Sequence, residues 1–238
     1  MTTTQLVLGL VCVTLGATVQ STIGFGAALL SVPLLLLINP DFVPGPITVA
    51  SLAVNLFVLS ANRGHADWRG VRWAGLGLLP GTALAAVALT LFTGSSLAVL
   101  AGSAVLVAVA VCAAGSRLPE GRRTLLGAGF FSGYLGTTAG ISGPPLVLAY
   151  QDAPAATLRA TLSWIFLAGA FLTLLTLRAT DHLHAADWRT GLILAPGGLF
   201  GFVASRPLVG HVDSDRLRTA VLVVSALSAV AAIARALV

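Results

Sequence analysis

The chain has 238 residues, 57% of them hydrophobic and 9% charged, with a mean hydropathy of +0.97 and a net charge of +5. A soluble domain carries roughly 25% charged residues, so this composition excludes a globule covered by water and leaves a polytopic membrane protein. The 13 basic residues are all Arg; scattered among short connections and not interleaved with aromatics, they exclude a nucleic-acid surface and point to membrane orientation.

A span needs about 20 apolar residues. In chain order, spans are predicted at residues 6–38, 43–61, 71–92, 97–114, 125–150, 160–177, 188–203 and 217–237. The expected fold class is an all-α polytopic membrane protein with about eight transmembrane helices in two homologous four-span halves, the first helix of each half broken. The start, Met1 to Gln5, lacks the basic region of a signal peptide, so the first span is expected to be retained. Cys12 and Cys112 sit in apolar runs and read as buried thiols, with no disulfide implied.

The first predicted span is too long for one crossing. Residues 6–38 would form a helix of about 50 Å against a hydrocarbon core of roughly 30 Å. It must tilt, break or fold back. The run from Gln20 to Pro33 contains Ser21, Thr22, Gly24, Phe25 and Gly26, and a break is expected at Gly24–Gly26. The fifth span holds a counterpart, Gly136 to Leu146, with Thr137, Thr138, Gly140, Ile141, Ser142, Gly143, Pro144 and Pro145. Pro33, Pro144, Pro145, Pro80 and Pro196 are expected as structural breaks; Pro80-Gly81 and Pro196-Gly197-Gly198 are read as places of close helix packing.

Three landmarks recur in the same order. Gly24 and Gly140 are 116 residues apart, as are Pro80-Gly81 and Pro196-Gly197; Ala66-Asp-Trp-Arg69 recurs as Ala186-Asp-Trp-Arg189. The chain therefore divides into a first transmembrane repeat at 1–115, a cytoplasmic connection at 116–122 and a second repeat at 123–238. Four spans per half give parallel repeats, and an odd number inverts them. Arg63, Arg69 and Arg72 follow the second span, Arg117, Arg122 and Arg123 the fourth, and Arg178 and Arg189 flank the connection after the sixth. With those connections cytoplasmic, the charge pattern favours parallel halves, Trp68, Trp73 and Trp188 join the cytoplasmic interface, and the loop 204–215 is the exception.

Interrupted helices inside a bilayer free backbone groups and are tolerated where they line a cavity. A matching pair is the sequence pointer to a transporter's binding site. The carboxylates and arginines all fall in connections or at span ends, so a site must rely on hydroxyls and helix-end amides suited to a small anion. Its predicted substrate-binding residues are Gln20, Ser21, Thr22, Gly24, Gly26, Thr137, Thr138, Gly140, Ser142, Gly143, Asn55 and Arg159. Asn55 reads equally as an interhelical hydrogen bond, and Arg159 as a snorkelling side chain. Trp164 reads as packing. His182, His184, Asp181 and Asp187 do not follow a closed zinc pattern, and no metal or cofactor is expected.

The motifs from Gly24 to Pro33 and from Gly136 to Leu146, above all Gly140-Ile-Ser-Gly-Pro-Pro145, resemble those of the sulfite exporter TauE/SafE family. The resemblance covers essentially the whole chain, although Ala27 and Ala28 stand where family members often extend the glycine run. It implies a multi-pass inner-membrane transporter of a small anion such as sulfite or a sulfonate. It also implies partners limited to that anion, the lipid bilayer and a proton as coupling ion; a homo-oligomer stays open. Three readings compete with this one; the paired breaks argue against the first, a structural membrane subunit with no substrate. A passive anion channel shares every feature so far. An intramembrane serine protease is suggested by Gly140-Ile-Ser142-Gly143, but such a serine needs a histidine base, and the histidines fall in connections.

Overall fold

The apolar runs condense into helices throughout the computed structural model, which describes residues 1–23, 26–61, 65–92, 94–115, 121–205 and 214–237. Among the described residues there are ten α-helices and no strands. They are α1 (Thr3–Ile23), α2 (Ala27–Ile38), α3 (Gly45–Ala61), α4 (Trp68–Leu91), α5 (Ser95–Ala114), α6 (Arg122–Ala139), α7 (Gly143–Ala149), α8 (Ala155–Ala179), α9 (Ala185–Ala204) and α10 (Ser214–Leu237). Five segments have the length and apolar character to cross a membrane: Thr3–Ser21, Trp68–Leu91, Ser95–Ala114, Ala156–Ala179 and Arg216–Leu237. Large apolar side chains face outward at helical spacing, as Val7, Val11 and Leu15 do on α1, and Val223, Leu227 and Val230 on α10. Hydrocarbon is the solvent that makes such a surface stable.

The 6–38 segment does not cross once. α2 folds back along α1: Ser31 Oγ donates to the Cys12 carbonyl at 2.9 Å, and the space beside Gly9 is taken by the Phe42 ring. Position 31 thus lies beside 12 and position 42 beside 9, which makes the pair antiparallel. The 125–150 segment does the same from the other end. α7 leaves α6 at Gly140 and returns until Tyr150 Oη donates to Asp67 Oδ2 at 2.9 Å. The remaining six helices run between the two ends of the bundle.

These ends can be told apart by contacts. One gathers the N-terminus, the segment after α2, the start of α5 and the α8–α9 connection around a cavity of about 710 Å³ lined by Met1, Asp41, Gly94, Asp181 and Asp187. The other gathers Asp67, Tyr150 and the start of α8, where Thr161 Oγ1 accepts from the Asp67 amide at 2.9 Å. Arg122 lies over the Trp73 ring there, and Arg218 donates to the Cys112 carbonyl at 2.6 Å. The two Asp-Trp-Arg segments therefore sit at opposite ends. The expectation that both share one face, with Trp188 beside Trp68 and Trp73, is corrected. The reason is the fold-back, which returns the chain to its starting end before α3 begins.

Glycine lets the central helices touch backbone to backbone. A Cβ on Gly77 or Gly81 of α4 would overlap the carbonyls of Leu126 and Phe130 on α6, and one on Gly129 would overlap that of Ala74. Gly197 and Gly201 of α9 approach α1 in the same way, at Leu10 and Thr14. This is small-residue packing of membrane helices. Pro33, Pro80 and Pro196 lie inside α2, α4 and α9, which continue through them, so the breaks expected there do not form. Of the five prolines expected as breaks, Pro144 and Pro145 alone accompany an interruption, in the first turn of α7.

Candidate functional site

Both interruptions turn on a left-handed glycine. Gly26, with φ 107°, precedes α2, and Gly140, with φ 72°, ends α6. A side chain at such φ values is strained. Gly140 closes α6 as a helix cap: its amide donates to Gly136 O at 2.8 Å, and the next amide, of Ile141, donates to Leu135 O at 3.2 Å. Ile141 is fully buried and belongs to no helix. Gly24 and Phe25, and the side chain of Thr22, lie outside the described residues.

The two restarts are unequal. α2 has 12 residues, and its leading amides face the break, where Gln20 Oε1 accepts from the Ala27 amide at 3.2 Å. The positive end of a helix dipole is available there. α7 has seven residues and opens with Gly143, Pro144 and Pro145. Two of its first three positions have no amide hydrogen. The expectation of two matching amide cradles is corrected to one cradle, at α2, faced by a glycine turn.

A cavity of about 130 Å³ lies between the breaks. The first break lines it through Gln20, Gly26 and Ala27, and the second through Gly140, Ser142, Gly143 and Pro144. Thr48, Ser51 and Asn55 of α3 form one wall, Phe166 and Thr173 of α8 another, and Ser31 of α2 completes it. Among the described residues no Asp, Glu, Arg or His lines this space. Three of its hydroxyls are bonded to nearby carbonyls: Thr48 Oγ1 donates to Pro44 O at 2.7 Å, Ser51 Oγ to Thr48 O at 2.8 Å, and Ser31 Oγ to Cys12 O at 2.9 Å. A hydroxyl rotates about its C–O bond, so each can swing its hydrogen to a guest and leave a helical carbonyl that keeps a second partner. Asn55 donates to Ser51 O at 2.8 Å through one of its two amide hydrogens.

Of the predicted site residues, Gln20, Gly26, Asn55, Gly140, Ser142 and Gly143 come together around this cavity. Ser21, Thr137, Thr138 and Arg159 do not line it, and Gly24 and the side chain of Thr22 lie outside the described residues. Ser21 Oγ bonds back to Ala17 O at 2.9 Å, Thr138 Oγ1 to Tyr134 O at 2.8 Å, and Thr137 pairs with Thr173 at 2.9 Å in a buried bridge between α6 and α8. Arg159 is exposed near the start of α8, beside the Asp67 end. Trp164 packs against Trp68 with ring centroids 5.2 Å apart and the planes tilted by 48°. Sequence reasoning missed Thr48 and Ser51. Their signal was legible, because with Asn55 they place a polar group at i, i+3 and i+7 on one face of an apolar helix. Asp181, His182, His184 and Asp187 line the other cavity, and among the described residues no three His, Cys, Asp or Glu side chains are placed to hold a metal ion.

A comparison with protein families settles the affiliation: the model described as Sulfite exporter TauE/SafE matches residues 8–232. The chain belongs to the TauE/SafE family. Members of this family are membrane transporters, so the protein is a membrane transporter and not an enzyme. The serine-protease reading of Ser142 falls with that result. No curated protein and no solved structure matches the chain.

Proposed function

We propose that this TauE/SafE protein carries a small anion of the sulfite or sulfonate class across a bacterial inner membrane by alternating access, and that the anion is held between the two breaks. One observation carries the reading. Two glycine-turned interruptions from distant parts of the chain face one cavity of about 130 Å³ that is polar yet uncharged. Such a site holds a small anion through dipoles and hydroxyl donors without the desolvation cost of a buried counter-charge. Because no titratable side chain lines the cavity among the described residues, a coupled proton would travel on the anion itself.

Reconstitution into proteoliposomes tests this. Sulfite, sulfoacetate and taurine are offered inside or outside, and flux is followed with and without a pH gradient. Saturable flux with counterflow is expected. Linear flux without counterflow means an open pore, and absence of flux for the whole anion panel removes the reading. Asn55→Ala is expected to raise the half-saturating concentration by roughly tenfold, the effect of losing a hydrogen bond to a charged guest.

A further inference from the structure

We propose that Gln20 is a placeholder for the substrate: in the empty carrier its side-chain carbonyl holds the position that an oxygen of the anion takes at the start of α2, and the anion binds by displacing it. This deepens the transport reading above and rests on it.

The start of α2 offers more donors than the chain answers. The leading amides of any helix find no carbonyl within it, and the first bond here runs from Leu30 N to Gly26 O at 3.0 Å. The amides of Ala27, Ala28 and Leu29 are left over, and all three residues line the cavity between the breaks. Gln20 Oε1 accepts from Ala27 at 3.2 Å. Among the described residues no acceptor is bonded to the other two amides. Leu29 is only 1% exposed, and a buried amide without a partner is rare. An anion with several oxygens can answer more of these donors at once than one amide oxygen does.

Gln20 is also placed to be moved. On α1, Val7, Val11 and Leu15 form the outward stripe, whereas Val13 and Ala17 are buried along the cavity. Gln20 continues that inner line one turn further. It is exposed although it lies on the inner side, so its free surface belongs to the cavity. Because the Ala27 amide is a donor, only the oxygen of the Gln20 side chain can meet it. Ser31 differs: it is 2% exposed and pinned between α2 and α1 by its bond to Cys12 O.

The exchange follows from these roles. The Gln20 oxygen and an oxygen of the anion are both acceptors and compete for one amide hydrogen. The anion makes the stronger, charge-assisted bond and sits at the positive end of the helix dipole, so it wins the position. The neutral bond that it breaks is subtracted from its affinity. When the anion leaves, the tethered side chain returns to the Ala27 amide. An uncharged site thereby keeps that donor satisfied when empty and releases its guest more readily.

Calorimetric titration of the purified carrier in detergent with sulfite and with sulfoacetate tests this, alongside thermal unfolding of the unliganded protein. Gln20→Ala should tighten binding roughly two- to tenfold, the worth of the neutral bond that no longer competes, and should lower the unliganded melting temperature. Gln20→Met keeps the volume and drops the oxygen; it should tighten binding likewise, and it decides the matter if the alanine variant does not fold. Gln20→Glu, a tethered anion of the same length, should raise the unliganded melting temperature and weaken binding by roughly a hundredfold or more. Binding that weakens in Gln20→Ala and Gln20→Met overturns the proposal, since Gln20 is then an ordinary ligand. Unchanged binding overturns it too, since Gln20 is then an ordinary helix cap. Binding to the wild type without tightening in the variants therefore refutes the placeholder alone. Absence of binding to both the wild type and Gln20→Ala refutes the anion site, and the placeholder with it.

Discussion

Gly140→Ala is the most direct probe of the second break. Two separate terms act on it. The backbone at φ 72° is left-handed, and an L-residue there loses roughly 1–2 kcal/mol. The new Cβ would also lie 2.7 Å from Ile47 Cγ2, a side chain only 7% exposed, and forcing a methyl into such a packed site costs about 1–3 kcal/mol. Together they predict a loss of about 2–5 kcal/mol. The terms can be separated, because Ile47→Ala clears the steric part and leaves the backbone part. Unfolding of the purified protein in detergent, followed by a thiol-reactive dye, measures the cycle. Gly140→Ala should be strongly destabilised, and the double variant should be more stable than the sum of the single changes implies, by about 1–3 kcal/mol. Gly127→Ala serves as control: nothing lies within 4 Å of its Cβ position, and alanine in a helix should gain roughly 0.5–1 kcal/mol. Additive effects at 140 and 47, or a neutral Gly140→Ala, would refute the reasoning.

Other outcomes follow from the same contacts. Ser132→Ala removes a fully buried hydroxyl that donates to Ser142 O at 2.7 Å, so thermal denaturation should show a loss of about 1–3 kcal/mol from the orphaned carbonyl. Gly81→Ala should prevent α4 and α6 from closing and abolish a monodisperse peak in size-exclusion chromatography, whereas Gly75→Ala, with open space around it, should leave the peak intact. Gly140→Leu should insert into the membrane yet lose anion uptake in proteoliposomes. Thr48→Ala and Ser51→Ala should each weaken substrate binding several-fold in a thermal-shift titration while leaving the unliganded melting point within a degree or two, since each hydroxyl adds only a local bond to a helical carbonyl.

What the sequence determined by itself was the solvent and the places where helices stop. Both are local quantities. A run such as residues 95–114 partitions into hydrocarbon on its own composition, and Gly140 followed by Pro144 and Pro145 ends one helix and starts another whatever surrounds it. Half of the candidate site was legible for the same reason, since Gln20, Gly26, Gly140, Ser142 and Gly143 belong to the interruptions themselves. The direction taken after an interruption was not legible. A glycine turn frees the chain without aiming it, and the aim of α2 is decided by long-range contacts: Ser31 on Cys12, Phe42 against Gly9, and the packing of α2 on α10. The end of the bundle on which Asp187 lies, and the wall of Thr48, Ser51 and Asn55 around the cavity, follow from that aim. Only the tertiary structure could decide them, because a one-dimensional pattern of apolar runs is the same whether a helix crosses the membrane or turns back.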